Sequence, residues 1–156
     1  MKKLKTKMKK DVQQNINLFL ELTKERIGRL FYAIERIETK ASIIIGFLGI
    51  VLGYILVGTD RIFWELTIFN LGVLSLLISF ILAFSIIITL KYRDDPDPEK
   101  LFCKYKDINP QEVKEQLLSN LIDSYNENKP KLRMKAIFFK HSLGFLIVGL
   151  ILLAIG

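Results

Sequence analysis

The chain has 156 residues, 51% of them hydrophobic, yet 23 are Lys or Arg and 16 are Asp or Glu, for a formal net charge of +7. The charges are segregated: residues 41–58, 66–90 and 141–156 carry none when His141 is neutral. Such segregation excludes a single soluble domain and excludes disorder. A hydrocarbon core of roughly 30 Å takes about 20 apolar helical residues, so the chain reads as a small integral membrane protein.

The N-terminal residues 1–40 carry 11 Lys or Arg and 5 Asp or Glu. A lysine-rich start such as that between Met1 and Lys10 suits either an anionic ligand or the headgroups of anionic lipids. No aromatic residue interleaves those lysines, so no nucleic acid is expected. Beyond Asp11 the positions Ile16, Leu20, Thr23, Ile27, Leu30, Ile34 and Ile37 alternate in steps of four and three, and the pattern continues through Ala41, Ile44 and Leu48. That heptad seam, free of proline, predicts one long helix that enters the bilayer unbroken. Its stripe, widened by Phe19 and Phe31, needs a cover. The choices are a second copy in a coiled coil, the helix over 110–128, or the membrane surface. The first apolar run begins only at Ala41, so no cleaved signal peptide is expected.

The first span carries Ser42, Gly46, Gly49 and Gly53; the second carries Gly72, Ser75, Ser79 and Ala83. Small residues at helical spacing let backbones approach closely in lipid, so these are candidate helix-packing faces, expected to pair as a transmembrane hairpin. In the alternative, Ser75 and Ser79 line a pore, with Asn70 and Thr89 nearby. Neither span holds a charge, which excludes an intramembrane proton relay or voltage sensor. The short turn from Asp60 to Glu65 has one basic residue, Arg61, against 11 in each of 1–40 and 91–140. By the positive-inside rule the N-terminus and 91–140 are cytoplasmic, and the C-terminus lies outside the inner membrane. Tyr54, Phe63 and Trp64 then gather at the outer interface.

After Lys91 the run containing Pro96 and Pro98 breaks the helix. Its carboxylates Asp94, Asp95, Asp97 and Glu99 lack the glycine of a calcium loop, and a solvated turn is the expectation. Asn109, Pro110 and Glu112 form a helix start. The helix over 110–128 is expected to bury Val113, Leu117, Leu118, Leu121, Ile122 and Tyr125, and Pro130 marks the boundary to a last helix near Lys131. Lys129, Lys131, Arg133 and Lys135 are candidates for a phosphate-bearing ligand; the alternative, which extends to Lys140, is snorkelling anchors. Cys103 and His141 are each the sole residue of their type. No nucleophile, dinucleotide, P-loop or metal motif occurs, so neither an enzyme nor a cofactor or metal site is expected.

Directly before the first span stands Arg36-Ile37-Glu38-Thr39-Lys40-Ala41-Ser42. This step resembles the small transmembrane effectors of prokaryotic nucleotide-signalled defence systems, of the SLATT and Pycsar-effector types. The resemblance extends in outline over a second span, a helical cytoplasmic segment and a further apolar helix. It implies membrane permeabilisation, or pore formation, when a nucleotide second messenger is sensed. No nucleotide-binding domain is recognisable, and a soluble sensor protein is the other route for the signal.

The expected fold is an all-α membrane protein. Residues 1–40 form a basic tail and amphipathic helix, and 41–90 a transmembrane hairpin. Residues 91–135 form a cytoplasmic helical segment and 136–156 a C-terminal transmembrane helix. The expected function is that of a homo-oligomeric membrane effector in antiviral defence, with the lipid bilayer as its first partner. The alternative is a non-conducting anchor that recruits a soluble partner; a transporter is disfavoured by the absence of intramembrane charge and broken helices.

Overall fold

A computed structural model of the chain describes residues 2–58, 68–88, 92–93, 103–106 and 108–156, with side chains in the first stretch from Asn15 to Ile55 and at Val57. The turn with Arg61, Phe63 and Trp64, Thr89, and the acidic run at 94–99 lie outside the described residues, as do the side chains of the N-terminal lysines. Three helices carry the fold: α1 (Lys2–Gly58), α2 (Ile68–Ile87) and α3 (Pro110–Ile155). No strand occurs among the described residues. The protein is an all-α membrane protein whose three helices are each long and apolar enough to cross a bilayer.

α1 has 57 residues, about 85 Å at the rise of an α-helix, and a bilayer core takes only about 30 Å of that. Most of it therefore stands clear of hydrocarbon, as does a large part of the 46-residue α3. Asn109 caps α3: its side-chain oxygen accepts from the Gln111 amide at 3.0 Å, its carbonyl accepts from Val113 N–H at 3.1 Å, and Glu112 sits in the first turn.

The helix break expected at Pro130 is not there, although the two compact units of the chain divide just after it, between Lys131 and Leu132. α3 runs through the proline in one piece. Proline removes one helical hydrogen bond, at a cost of about 3 kcal/mol. Pro130 and Asn126, whose carbonyl loses its donor, are both exposed, so water can serve that carbonyl. Packing on either side of the proline offsets the rest: Asn128 is 1% exposed, and so is Lys135.

The chain divides into two units. One comprises Met1–Tyr32 and Lys91–Lys131. Here the α1 seam is buried at Ile27 and Leu30, and Lys114 donates to the Asn17 side chain at 2.9 Å. Within one chain this stretch of the seam packs on residues of the same unit, while Leu18, Phe19 and Leu22 stay exposed. Leu121 is buried as expected, but Ile122 is 44% exposed, because the buried face of the helix passes through Leu121 and Ser124.

The other unit comprises Ala33–Leu90 and Leu132–Gly156. Its core joins Ile44, Leu48, Leu52 and Ile55 of α1 to Val73, Leu76 and Ala83 of α2, with Phe139, Leu146 and Leu153 of α3 packed against them. The outward faces are as apolar as the core: Ile43, Ile50, Leu74, Ile81, Ile147 and Ile151 are all exposed. Apolar surface of that extent calls for a lipid cover.

Candidate functional site

The contact between α2 and α3 is built from small and hydroxylated residues. Ser79 Oγ donates to the Ser142 carbonyl at 2.8 Å, and Ser142 Oγ donates back to the Ser79 carbonyl at 3.0 Å. Ser75 Oγ donates to the Phe145 carbonyl at 2.8 Å. Further along, Gly72 meets Gly149: a Cβ on Gly149 would lie 2.6 Å from Leu76 Cδ2 and 3.0 Å from the Gly72 carbonyl oxygen. A Cβ on Gly72 would lie 3.2 Å from the Gly149 oxygen. Residue 72 facing 149 and 79 facing 142 makes the pair antiparallel, as successive spans must be. Each of these hydroxyls bonds the facing helix instead of its own i−4 carbonyl, so they hold the register as well as the contact.

The small face of the second span is thus used, but not against the first span. Among the described residues nothing comes within 4 Å of a Cβ placed on Gly46, Gly49 or Gly53. Those glycines are exposed, together with Ser42, so the expected pairing of the two small faces is replaced by pairing of the second face with the third span. Asn70 is half-buried near the start of α2. The partners Ser142 and Gly149 were legible: with Gly156 they place small residues seven apart in the last apolar run.

The four basic candidates differ in burial and in partners. Lys129 is exposed, 5.6 Å above the Tyr125 ring, and Arg133 is exposed. Lys131 bonds Glu127 at 3.3 Å and stands 5.9 Å from the Tyr92 ring. Lys135 is buried at 1% exposure and donates to the Glu38 carboxylate, whose side chain is 36% exposed. Glu38 belongs to the Glu-Thr-Lys-Ala-Ser step. Ala41 of that step is fully buried, and the outward hydroxyls of Thr39 and Ser42 bond their own helix at Glu35 O and Glu38 O. Local satisfaction of this kind lets a hydroxyl sit at the edge of an apolar span.

A second polar cluster, in the unit with Met1–Tyr32, holds the chain at Tyr92 and Arg93. Asn128 accepts from the Arg93 amide at 3.1 Å and donates to its carbonyl at 3.0 Å; Ser124 donates to the same carbonyl at 2.8 Å. Phe31 meets Tyr92 edge-on at 6.1 Å. The side chain of Asn128 thus stands in for a strand neighbour, and its burial makes both bonds costly to lose. Asn128→Ala is expected to speed amide exchange at Arg93 about 10-fold or more, the factor that about 1.4 kcal/mol represents, as read by hydrogen–deuterium exchange.

A family model described as the Pycsar effector protein domain matches residues 22–156. The chain belongs to this family. Neither the curated proteins nor the solved structures contain a match. The Pycsar effector match takes in all of α2 and α3 and α1 from Leu22 onward. It therefore spans the Glu38–Lys135 pair, the α2–α3 serine contact and the Arg93 clamp. Together with the three apolar helices it makes the chain a membrane effector of the Pycsar type.

Proposed function

We propose that several copies of this chain assemble in the inner membrane and permeabilise it when a cytoplasmic signal arrives, in antiviral defence. The signal is a nucleotide second messenger, met directly or through a soluble sensor protein. The observation that carries the assembly is the exposed stripe of Ser42, Gly46, Gly49 and Gly53 on an apolar helix. Small residues let a second helix come close in lipid, where no hydrophobic force drives association. Within one chain Ser75, Ser79 and Ser142 are engaged between helices, so in this reading the path across the membrane forms between copies. The action is physical and not enzymatic.

The rival reading is a non-conducting anchor that recruits a soluble partner. It is favoured by the same engagement of the serines, which leaves those hydroxyls no part in a polar lining. Cells expressing the chain with a nucleotide cyclase, read by a membrane-potential dye, separate the two. Depolarisation that needs both proteins supports the effector; unchanged potential with the messenger bound to the chain sinks it.

Orientation has its own test. Cys103 is exposed and falls in the segment assigned to the cytoplasm by charge. In intact cells a membrane-permeant maleimide is expected to label it and an impermeant one to spare it. Labelling by both would reverse the topology.

A further inference from the structure

We propose that Glu38 and Lys135 form a two-state latch that holds α1 to α3 at the membrane edge and separates when the protein is switched. The inference rests on the effector reading above for what the switch does, but the latch itself rests on geometry. Lys135 is 1% exposed, while the Glu38 side chain is 36% exposed. The pair lies in one unit, just ahead of the uncharged runs that begin at Ala41 and His141, and is flanked by the fully buried Ala41 and Ser142.

A pair of apolar side chains would hold two helices at least as well. Desolvating two charges costs about as much as their attraction returns, so replacing a buried pair with apolar residues is often neutral or stabilising. What the ion pair adds is an accessible second state, the minor one until a signal arrives. Glu38 already reaches water, and in the proposed open state Lys135 reaches it too. The charges then recover hydration in place of the contact, an option that an apolar pair lacks. Equilibria of this kind are shifted by a ligand with only modest preference for one state. Neutralising Glu38 alone is different, because it takes a carboxylate away from a buried ammonium and favours the open contact.

The test uses the full chain in lipid nanodiscs, in a Cys103→Ser background. Spin labels sit at Lys40→Cys on α1 and Lys140→Cys on α3, both exposed positions. Pulsed dipolar spectroscopy reads their separation. Glu38→Gln is expected to lengthen and broaden the distances, raising the open fraction roughly 10-fold or more. The exchange Glu38→Lys with Lys135→Glu should restore the closed distance. Glu38→Leu with Lys135→Met should stay closed, and in cells should resist the signal, whereas Glu38→Gln should depolarise without it.

A closed distance unchanged in Glu38→Gln overturns the latch, and so does an exchange variant that inserts normally but stays open. An apolar pair that opens as readily as the wild type also overturns it. Opening in Glu38→Gln without depolarisation leaves the latch standing and counts against permeabilisation, so the two readings fail separately.

Discussion

Replacing Gly149 with leucine is expected to disrupt the α2–α3 pair. Even a Cβ there meets Leu76 at 2.6 Å and the backbone oxygen of Gly72 at 3.0 Å. The side chain of Leu76 can yield, but the Gly72 backbone cannot without pulling the helices apart. Parting them strains the bonds of Ser75 and Ser79 in the same contact. Overpacking costs about 1–3 kcal/mol in ordinary cores. With the interhelical serine bonds lost as well, the loss should lie at the top of that range. Gly144→Leu is the control on the same helix, because nothing described lies within 4 Å of its Cβ. Thermal unfolding in detergent checks both: a large drop in midpoint for Gly149→Leu and little change for Gly144→Leu.

The second large effect falls on function and leaves the fold intact. Gly49→Leu and Gly53→Leu add side chains where nothing described lies within 4 Å, so the single chain keeps its midpoint. If copies meet along this stripe, leucines hold their backbones apart, and close approach is what drives association in lipid. Signal-dependent depolarisation is expected to fall more than about 10-fold, the effect of losing 1.4 kcal/mol at one contact, with a matching loss of cross-linked oligomer. Full depolarisation by a folded Gly49→Leu, Gly53→Leu variant would remove the stripe from the account.

Much of α1 is legible in the sequence because one rule holds from Ile16 to Leu48. Its heptad seam is apolar, and Ile27, Leu30, Ile34, Ala41, Ile44 and Leu48 are buried at the expected spacing. The cap at Asn109 was equally local, a matter of three adjacent residues. α3 was harder to read because its pattern inverts. Apart from Ser124, its buried positions recur every seven residues as Leu121, Asn128, Lys135, Ser142 and Gly149, changing from apolar to polar to small. Against a wholly apolar span, the face that packs is the one that looks least hydrophobic. Apolar periodicity therefore ends at Asn128, and Pro130 beside it reads as a stop. Lys135 looks like a solvent-facing base for the same reason, since its partner Glu38 lies 97 residues away and no local pattern joins them. The outward glycines of α1 were visible as a face, but which helix that face meets depends on tertiary competition, and Ser142 and Gly149 took the second span.

Leakage from liposomes containing the purified full chain, measured against the number of copies per vesicle, decides whether assembled copies permeabilise a bilayer. With a panel of cyclic mononucleotides and dinucleotides supplied on both sides, the expected result is dye release that one nucleotide switches on. Release should climb more steeply than in proportion to copy number, and the Gly49→Leu, Gly53→Leu chain should stay tight. Vesicles that remain tight at every density while a nucleotide is bound, or release that rises only in proportion to copy number, would contradict permeabilisation by assembled copies.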